Sequence, residues 1–391
     1  MPFILKKIIF LMKEYSHKAL SIFGQGNISR VKQIVHSKND AEELAKISPS
    51  FIVMDLTWRC NYHCSCCIDG NAVNRDSKDL PVEIIEDIFD YSNKRGVRGI
   101  MTMGGEVFLY KNGITKALEK SIEYQIPIKT VSNGSRLSEY IDLIVKAYKI
   151  PGSMLRISVN SDSEHYLEQT GGNVSFEEVF ESIARITSNG TPVYVSTVIF
   201  PESCRKQNGV PNIHTLEKII HCCEDAGVHT QILIPGRDPE TRARYRRTDE
   251  EREIMEEIKR KTLNEKYKIP IGIEEFTKEH ICKQNLVFDP CCPSGFIFTL
   301  IGSDGRVYKC TDNRGNVYMV LGKVEKPGDF ERLWHSKERV ERQRSTVCTN
   351  KSCIRYEINC LLNECMGIFD TREIDLTDYL EHEGGLVNIF I

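Results

Sequence analysis

The 391-residue sequence predicts an α/β fold around a parallel sheet, followed by a small cysteine-rich C-terminal α+β domain. Strand-like apolar runs alternate six times with helical segments from about residue 50, and capping boxes open two helices, at Ser175 with Glu178 and at Thr248 with Glu251. Such alternation implies right-handed crossovers in a sheet that is either doubly wound or curled towards a barrel. The second domain is predicted from the cysteines, which become dense after about residue 280.

Each predicted strand is a short apolar run bounded by turn residues. In chain order the strands are 51–56, 97–103, 127–131, 154–159, 193–200 and 229–234. Each predicted helix carries apolar residues three and four positions apart. In chain order the helices are 81–95, 114–124, 137–147, 175–187, 216–226 and a charged helix from 248. We expect the chemistry at the C-terminal ends of the strands.

Three segments follow from this pattern: a helical extension at 1–48, the α/β domain at 49–270 and the cysteine-rich domain at 280–391. In the last segment, strand-like pieces at 296–301 and 306–309 flank Ser303-Asp304-Gly305, which is a hairpin turn signal.

The N-terminal segment has one apolar face at helical spacing. That face comprises Ile4, Ile8, Met12, Tyr15, Ala19 and Ile22, with Lys6, Lys7, Lys13 and Lys18 lying off it. The continuous apolar run from Ile8 to Met12 is too short for the core of a signal peptide. The helix is therefore either a membrane-surface or partner-binding helix or, as we favour, one packed onto the main domain.

Composition excludes several classes of protein. The 52 basic and 55 acidic residues give a net charge of −3, so we expect no nucleic-acid partner. No apolar run approaches the roughly 20 residues that span a bilayer, and we expect a cytoplasmic protein. The 15 cysteines are an odd count in a long chain, which indicates metal or redox chemistry rather than a disulfide framework.

Three cysteines form a compact group directly after the first predicted strand. They stand in the run Cys60-Asn-Tyr-His-Cys64-Ser-Cys-Cys67. Thiolates at this density suit iron–sulfur or zinc. Three ligands rather than four would leave one iron of a four-iron cluster open to another ligand.

This run resembles the signature of radical S-adenosylmethionine enzymes. The resemblance implies a [4Fe-4S] cluster on Cys60, Cys64 and Cys67 whose open iron binds S-adenosylmethionine, and reductive cleavage of that cofactor to a 5′-deoxyadenosyl radical. It also implies an external electron donor of the flavodoxin or ferredoxin type. Cys66 departs from the family, which usually has an aromatic residue there, and replacement of Cys67 by Cys66 as ligand is the alternative.

Other strand ends match the same family in order. Met103-Gly104-Gly105-Glu106 resembles its GGE turn, whose acid end binds the methionine ammonium, although Val107 replaces the usual proline. The resemblance implies that the cofactor-binding residues are Gly104, Gly105, Glu106, Ser132, Asn133, Ser158, Asn160 and Arg237. It covers about residues 50–240 and implies a partial (β/α)6 TIM-like barrel.

The C-terminal cysteines resemble the auxiliary-cluster domains called SPASM and Twitch. Gly305 precedes Cys310 by five residues, and the resemblance favours one auxiliary [4Fe-4S] cluster. Its ligands would be Cys292, Cys310, Cys348 and Cys353. A second cluster would use Cys291 or Cys282 with Cys360 and Cys365, and a structural zinc site is the alternative to both.

Two further groups stay open at this stage. We interpret Cys204, Cys222 and Cys223 as buried core residues, with a hydrogen-atom donor as the alternative. The arginines after the sixth strand form either a solvated face or a site for a carboxylate or phosphate. They are Arg237, Arg242, Arg244, Arg246 and Arg247.

The expected function is hydrogen abstraction from an unactivated C–H bond of a small polar metabolite or a peptide precursor. Dehydrogenation, epimerisation or cross-linking in natural-product biosynthesis or peptide maturation would fit. A non-catalytic iron–sulfur or zinc-binding module is the alternative, and it would not need the GGE turn.

Overall fold

The structure is a computed structural model that describes residues 30, 33–34, 37, 39–64, 67, 78–199, 212–234, 248–264, 266–275, 293–311 and 314–345. The described residues divide into two compact units. Unit 1 consists of the described residues within Met1–Val53, Asp90–Arg98 and His280–Ile391. Unit 2 consists of those within Met54–Phe89 and Gly99–Glu279. The predicted N-terminal helix lies outside the described residues.

The described strands are β1 (Phe51–Thr57), β2 (Gly99–Gly104), β3 (Ile128–Ser132), β4 (Met154–Ser158), β5 (Val193–Val198), β6 (His229–Ile234), β7 (Ile271–Glu275), β8 (Phe298–Ile301), β9 (Arg306–Tyr308) and β10 (Val320–Lys323). The described helices are α1 (Ala41–Lys46), α2 (Val82–Arg95), α3 (Lys111–Tyr124), α4 (Ile141–Ala147), α5 (Tyr166–Thr170), α6 (Phe176–Thr187), α7 (Leu216–Ala226), α8 (Asp249–Leu263), α9 (Asp329–Trp334) and α10 (Lys337–Ser345). None of them is long and apolar enough to cross a membrane.

Unit 2 holds the parallel sheet. It contains the C-terminal part of β1, from Met54, and strands β2 to β7 in chain order, and every neighbouring pair from β2 to β7 is parallel. The predicted α/β class and all six predicted strands are confirmed, with ends that differ by at most two residues. β7 was not predicted because its five residues include Gly272 and two glutamates, which weaken the apolar signal of a strand.

Apolar packing explains why the helices cover this sheet. One buried cluster joins α7 and α8 to β6 through Leu216, Ile220, Ile232, Met255 and Ile258. Both predicted capping boxes are present. The Oγ of Ser175 accepts from the Glu178 amide at 3.2 Å, and the Oγ1 of Thr248 accepts from the Glu251 amide at 3.1 Å. These caps satisfy backbone donors that the first helical turn leaves without partners.

Unit 1 contains a small antiparallel sheet in which β9 pairs with both β8 and β10. The predicted hairpin turn is present. Gly305 has a φ of +80°, and a Cβ there would lie 2.1 Å from the carbonyl oxygen of Val324, so only glycine fits without a shift. The indole of Trp334 donates to the Ile47 carbonyl at 2.8 Å and anchors α9.

Candidate functional site

The candidate site is built from the loops that follow the first four strands of unit 2. Because β2 to β7 are parallel, the loops after their C-terminal ends leave from one edge of the sheet. The loop after β1 carries Cys60, Cys64 and Cys67. We call residues 58–79 the cysteine loop; residues 65–66 and 68–77 within it lie outside the described residues.

An ion pair closes the base of the cysteine loop. The guanidinium of Arg59 donates to Asp79 through Nε at 3.0 Å and through Nη2 at 2.6 Å. The hydroxyl of Thr57 donates to the same carboxylate at 2.6 Å. Bidentate pairing of this kind fixes orientation as well as distance, so the two ends of the loop are held in register.

The turn after β2 packs directly against the backbone at the base of the cysteine loop because it contains two glycines. A Cβ on Gly104 would lie 2.0 Å from the carbonyl oxygen of Thr57, and one on Gly105 would lie 2.2 Å from that of Arg59. The Gly105 amide donates to Thr57 O at 2.9 Å, and the Glu106 amide donates to Arg59 O at 2.8 Å. Glycine is therefore required here for a close approach of two backbones.

Glu106 joins the turn after β2 to the turn after β3. Its carboxylate is fully buried and accepts from the Ser132 hydroxyl at 2.9 Å, the Asn133 amide at 2.6 Å and the Phe108 amide at 3.0 Å. Burial raises the pKa of the Glu106 carboxyl, against these hydrogen bonds, which lower it. In this geometry the acid positions Ser132 and Asn133.

Asn61 connects the cysteine loop to the turn after β3. It accepts from Asn133 Nδ2 at 3.0 Å and donates to the Ser135 hydroxyl at 2.9 Å. Asn133 Nδ2 also lies 3.9 Å from Cys60 Sγ, and the Tyr62 amide donates to that sulfur at 3.4 Å. Asn61 was not predicted from the sequence, where its signal was its position directly after Cys60.

The thiols of the loop are set in an environment that disfavours isolated thiolates. Burial, together with the neighbouring Cys67 and Cys60, raises the pKa of Cys64 to about 12. Burial likewise raises the pKa of Cys60. Thiolates that repel one another are stabilised by a shared cation, and sulfur is the ligand iron–sulfur clusters use. The donor set therefore fits a cluster held by three cysteines.

The residues predicted after β4 have a different setting. Ser158 ends β4 and lies in register with Ser196 of β5. The side chain of Asn160 accepts from the Val198 amide at 2.9 Å, and Asn212 Nδ2 donates to the Asn160 carbonyl at 3.1 Å. Asn160 thus caps the end of β5. Arg237 and the arginines that follow it lie outside the described residues.

A carboxylate cluster also follows β4. Among the described residues, Asp162, Glu164 and His165 are the group whose ligand atoms lie within 4.8 Å of one another. The ammonium of Lys218 already bridges it, at 2.9 Å from Asp162 and 3.0 Å from Glu164. A lysine in that position supplies the positive charge that a cation would bring, so the cluster is an ion-pair network.

The remaining cysteines divide between the two units. Cys222 and Cys223 lie on α7, and burial raises the pKa of Cys223 to about 12, as expected of a core thiol. Cys310 follows β9 in unit 1 and is half-buried. The other predicted auxiliary ligands, Cys292, Cys348 and Cys353, lie outside the described residues, as does Cys204.

Comparisons with known proteins show which proteins this chain resembles. Residues 54–206 match the Radical SAM superfamily. A curated protein of Thermococcus kodakarensis (strain ATCC BAA-918 / JCM 12380 / KOD1), named "Probable GTP 3',8-cyclase", is 25% identical over 146 residues, which are 37% of this chain. The match spans 46% of that relative, less than half of its length.

Solved structures show the same fold at low sequence identity. SuiB of Streptococcus suis bound to S-adenosylmethionine is 16% identical with a TM-score of 0.60, over 84% of this chain and 75% of SuiB. The complex of SuiB with the precursor peptide SuiA has a TM-score of 0.59 at 15% identity, over 84% and 74%. Native anSMEcpe with bound AdoMet and a peptide has a TM-score of 0.51 at 13% identity, over 79% and 87%. Residues 54–206, which carry the three cysteines and the glycine turn beneath them, therefore match the Radical SAM superfamily, and the solved structures share the fold.

Proposed function

We propose that this protein is a radical S-adenosylmethionine enzyme that abstracts hydrogen from an unactivated C–H bond. The observation that carries the proposal is the cysteine loop, which is joined to the turn after β2 by the hydrogen bond from the Glu106 amide to Arg59 and to the turn after β3 by the bond between Asn133 and Asn61. A zinc or iron–sulfur module without catalysis would not need the close contact between two backbone segments that Gly104 and Gly105 permit.

The proposed roles follow from the residues present. When bound, the cluster and S-adenosylmethionine supply a one-electron cleavage that yields a 5′-deoxyadenosyl radical. Cys60, Cys64 and Cys67 would hold the cluster, and Arg59 with Asp79 would keep their loop closed. Amide donors to Cys60 Sγ, from Tyr62 and Asn133, would tune the electron density on that sulfur.

The cofactor side of the site would be formed by residues that the family resemblance assigns. They are Gly104, Gly105, Glu106, Ser132, Asn133, Ser158, Asn160 and Arg237. Glu106 would act mainly by holding the turn after β3, because three donors already engage its carboxylate. A direct contact with the methionine ammonium stays a prediction, for which the second lone pair of Oε2 is the available acceptor.

Two substrate classes are supported by different observations. The structures of SuiB and anSMEcpe were solved with peptides bound, which favours a peptide precursor. The relative named as a cyclase of GTP favours a small polar metabolite. We place the peptide first because those two matches extend over most of this chain, whereas the cyclase match covers 37% of it.

An auxiliary cluster is the less supported part of the proposal. Cys310 would be one of its ligands, with Cys292, Cys348 and Cys353. The turn at Gly305 supports it by fixing the hairpin that leads to Cys310. A protein electron donor of the flavodoxin or ferredoxin type would reduce the enzyme.

The test is the cleavage of S-adenosylmethionine. Anaerobically reconstituted protein is incubated with the cofactor and dithionite, and 5′-deoxyadenosine is measured. We expect product from the unsubstituted protein and none above background from Cys60→Ala, Cys64→Ala or Cys67→Ala. Cys222→Ala, a partly exposed thiol on α7, is the matched control and should retain full cleavage.

Metal analysis of the variant that lacks all three loop cysteines tests the auxiliary cluster. About four iron atoms per chain would support one auxiliary cluster of the four-iron type, and about eight would support two. Zinc in place of iron would refute the auxiliary cluster and leave the loop cluster untouched. Undiminished cleavage in the triple variant would refute the proposed function itself.

A further inference from the structure

We propose that the segment Tyr166–Gly172, which follows β4, positions the cysteine loop and thereby sets how Cys60 and Cys64 present their thiols. We call this segment the Tyr62 seat. The inference rests on the proposed function, because it concerns the loop that would hold the cluster. No sequence signature marks the seat, and it lies about 100 residues beyond the cysteines.

The seat receives a buried aromatic side chain of the loop. Tyr62, which lies between Cys60 and Cys64, is only 3% exposed although it belongs to a loop. Its ring meets that of Tyr166 edge-on, with centroids 6.4 Å apart. Tyr166 is held in turn by Phe176 of α6, at 5.7 Å and also edge-on. Tyr62 is therefore anchored to a rigid neighbour.

A backbone contact fixes the loop at the next residue. The amide of His63 donates to the carbonyl of Thr170 at 2.8 Å. That carbonyl is available because α5 ends there, with Gly171 in the left-handed region at φ +58°. A Cβ on Gly171 would lie 3.2 Å from His63 Cβ, so the helix end and the loop are in close contact.

Gly172 leaves the space that the Tyr62 ring occupies. A Cβ on Gly172 would lie 2.3 Å from Tyr62 Cε1 and 2.4 Å from Cδ1. Ordinary contact begins at about 3.4 Å, so the ring would have to move by roughly 1 Å. The Tyr166 ring restricts that movement, and a displaced Tyr62 carries with it the amide that donates to Cys60 Sγ. Sites of this kind tolerate displacements of only about 0.5 Å.

The test compares Gly172→Ala with Gly272→Ala, a matched control in β7. A Cβ on Gly272 meets only Gln231 Cγ, at 3.9 Å. The readouts are the rate of iron release to a chelator and the electron paramagnetic resonance spectrum of the reduced protein. The iron release and the spectrum measured for the variant that lacks Cys60, Cys64 and Cys67 are subtracted, because they report any cluster outside the loop.

We expect Gly172→Ala to release loop iron about tenfold faster than the unsubstituted protein and to change its spectrum, since groups that orient metal ligands typically contribute 10- to 100-fold in affinity. Gly272→Ala should match the unsubstituted protein. Tyr62→Leu should also speed iron release, and adding Gly172→Ala to Tyr62→Leu should have little further effect, because the clash depends on the ring.

The outcomes separate the two claims. An unsubstituted protein without an iron–sulfur signal from the loop would refute the proposed function. A normal signal that Gly172→Ala leaves unchanged, with additive effects in the double variant, would refute the seat alone. If Gly172→Ala does not fold, Tyr62→Leu decides: iron release at the unsubstituted rate in that variant would overturn the inference.

Discussion

The cysteine loop after β1 and the hairpin that leads to Cys310 both present a thiol beside a glycine turn, but they are held in different ways. In the loop, the contacts are made by side chains: Asn133 of a neighbouring turn lies near Cys60 Sγ and donates to Asn61, and the Glu106 carboxylate holds Asn133. In the hairpin, the fit is made by backbone, because Gly305 packs directly against the Val324 carbonyl. We therefore expect the loop to be sensitive to substitutions that change side-chain chemistry, and the hairpin to be sensitive to substitutions that change backbone conformation.

Buried charge differs between the two regions as well. The loop region buries a carboxylate, Glu106, whose partners are amides and a hydroxyl. The described part of unit 1 buries two cations instead. Lys309 donates to the Gln343 carbonyl at 2.7 Å, and Arg339 donates to the Trp334 carbonyl at 3.0 and 2.7 Å while stacking on that indole. Hydrogen bonds to charged groups are among the stronger ones, so each buried charge fixes local structure.

The largest effect is expected from a side chain at the hairpin turn. Gly305→Ala should lower the free energy of unfolding of unit 1 by about 2–5 kcal/mol, the sum of about 1–2 for a left-handed residue and 1–3 for overpacking. Chemical denaturation followed by Trp334 fluorescence measures it, in a Trp58→Phe background that removes the other tryptophan.

Gly315→Ala is the matched control for this prediction. Gly315 has a similar φ of +75°, but a Cβ there meets nothing within 4 Å. The Gly315→Ala substitution should lower the free energy of unfolding by only about 1–2 kcal/mol, which is the contribution of the left-handed backbone. Equal losses in the two variants would mean that contact with Val324 does not govern the turn, and the contrast with the loop would fail.

The sequence predicted most of the fold and led to the proposed ligands, but it showed little of what holds those ligands in place. Alternating apolar periods predicted six strands because each pairs locally with its successor. β7 was missed because its pairing with β6, rather than its composition, makes it a strand. Cys60 and Cys64 were predicted as ligands from their spacing, and Gly105 from the resemblance of its turn to the GGE motif.

The supporting residues of the site could not be found that way. Asn61, Asp79 and Gly172 act through contacts with distant parts of the chain, and single polar residues or glycines carry no signature of such contacts. Glu106 was predicted as an acid of the site, but its burial and its bonds from Ser132 and Asn133 depend on tertiary structure. Residue spacing indicates which groups can bind a cofactor, and the contacts between turns show how they are oriented.

A smaller effect is expected where the loop region depends on side-chain charge. In Glu106→Gln an amide NH2 replaces one carboxylate oxygen, and in either amide orientation a donor of Ser132, Asn133 or Phe108 loses its acceptor. An unsatisfied buried donor costs about 1–3 kcal/mol.

Because the folded pKa of Glu106 is raised, the unsubstituted protein loses stability as pH rises from about 4.5 through the folded pKa, whereas the variant does not. The stability deficit of the variant should therefore shrink between pH 5 and pH 8.

Melting temperatures of both proteins at the two pH values check this prediction. A deficit that stays constant with pH would show that Glu106 is not a costly buried anion. Binding of S-adenosylmethionine to the same variant is a second readout, for which one lost charge-assisted hydrogen bond predicts about 1.5–3 kcal/mol weaker affinity. Unchanged affinity would restrict Glu106 to its structural role.

The smallest effect is expected in unit 1, at a buried imidazole. His335 Nδ1 lies 2.6 Å from the Ala45 carbonyl, and Nε2 lies 3.1 Å from the Tyr91 hydroxyl. Burial lowers the pKa of His335, opposed by the bond to Ala45 and supported by the charge of Arg95. A depressed histidine pKa contributes stability that is present above the unfolded value of about 6.5 and is lost as pH falls through the folded value.

The melting temperature of the unsubstituted protein should therefore fall between pH 7 and pH 5.5 by more than that of His335→Gln, whose amide can both donate to Ala45 and accept from Tyr91 without titrating. His221→Gln, which removes an exposed imidazole from α7, controls for the loss of a histidine as such. A parallel decline in His335→Gln and the unsubstituted protein would place the acid sensitivity elsewhere. A decline confined to the unsubstituted protein and His221→Gln would show that protonation of one buried ring destabilises unit 1. In the loop region, by contrast, the corresponding cost in stability comes from deprotonation of Glu106.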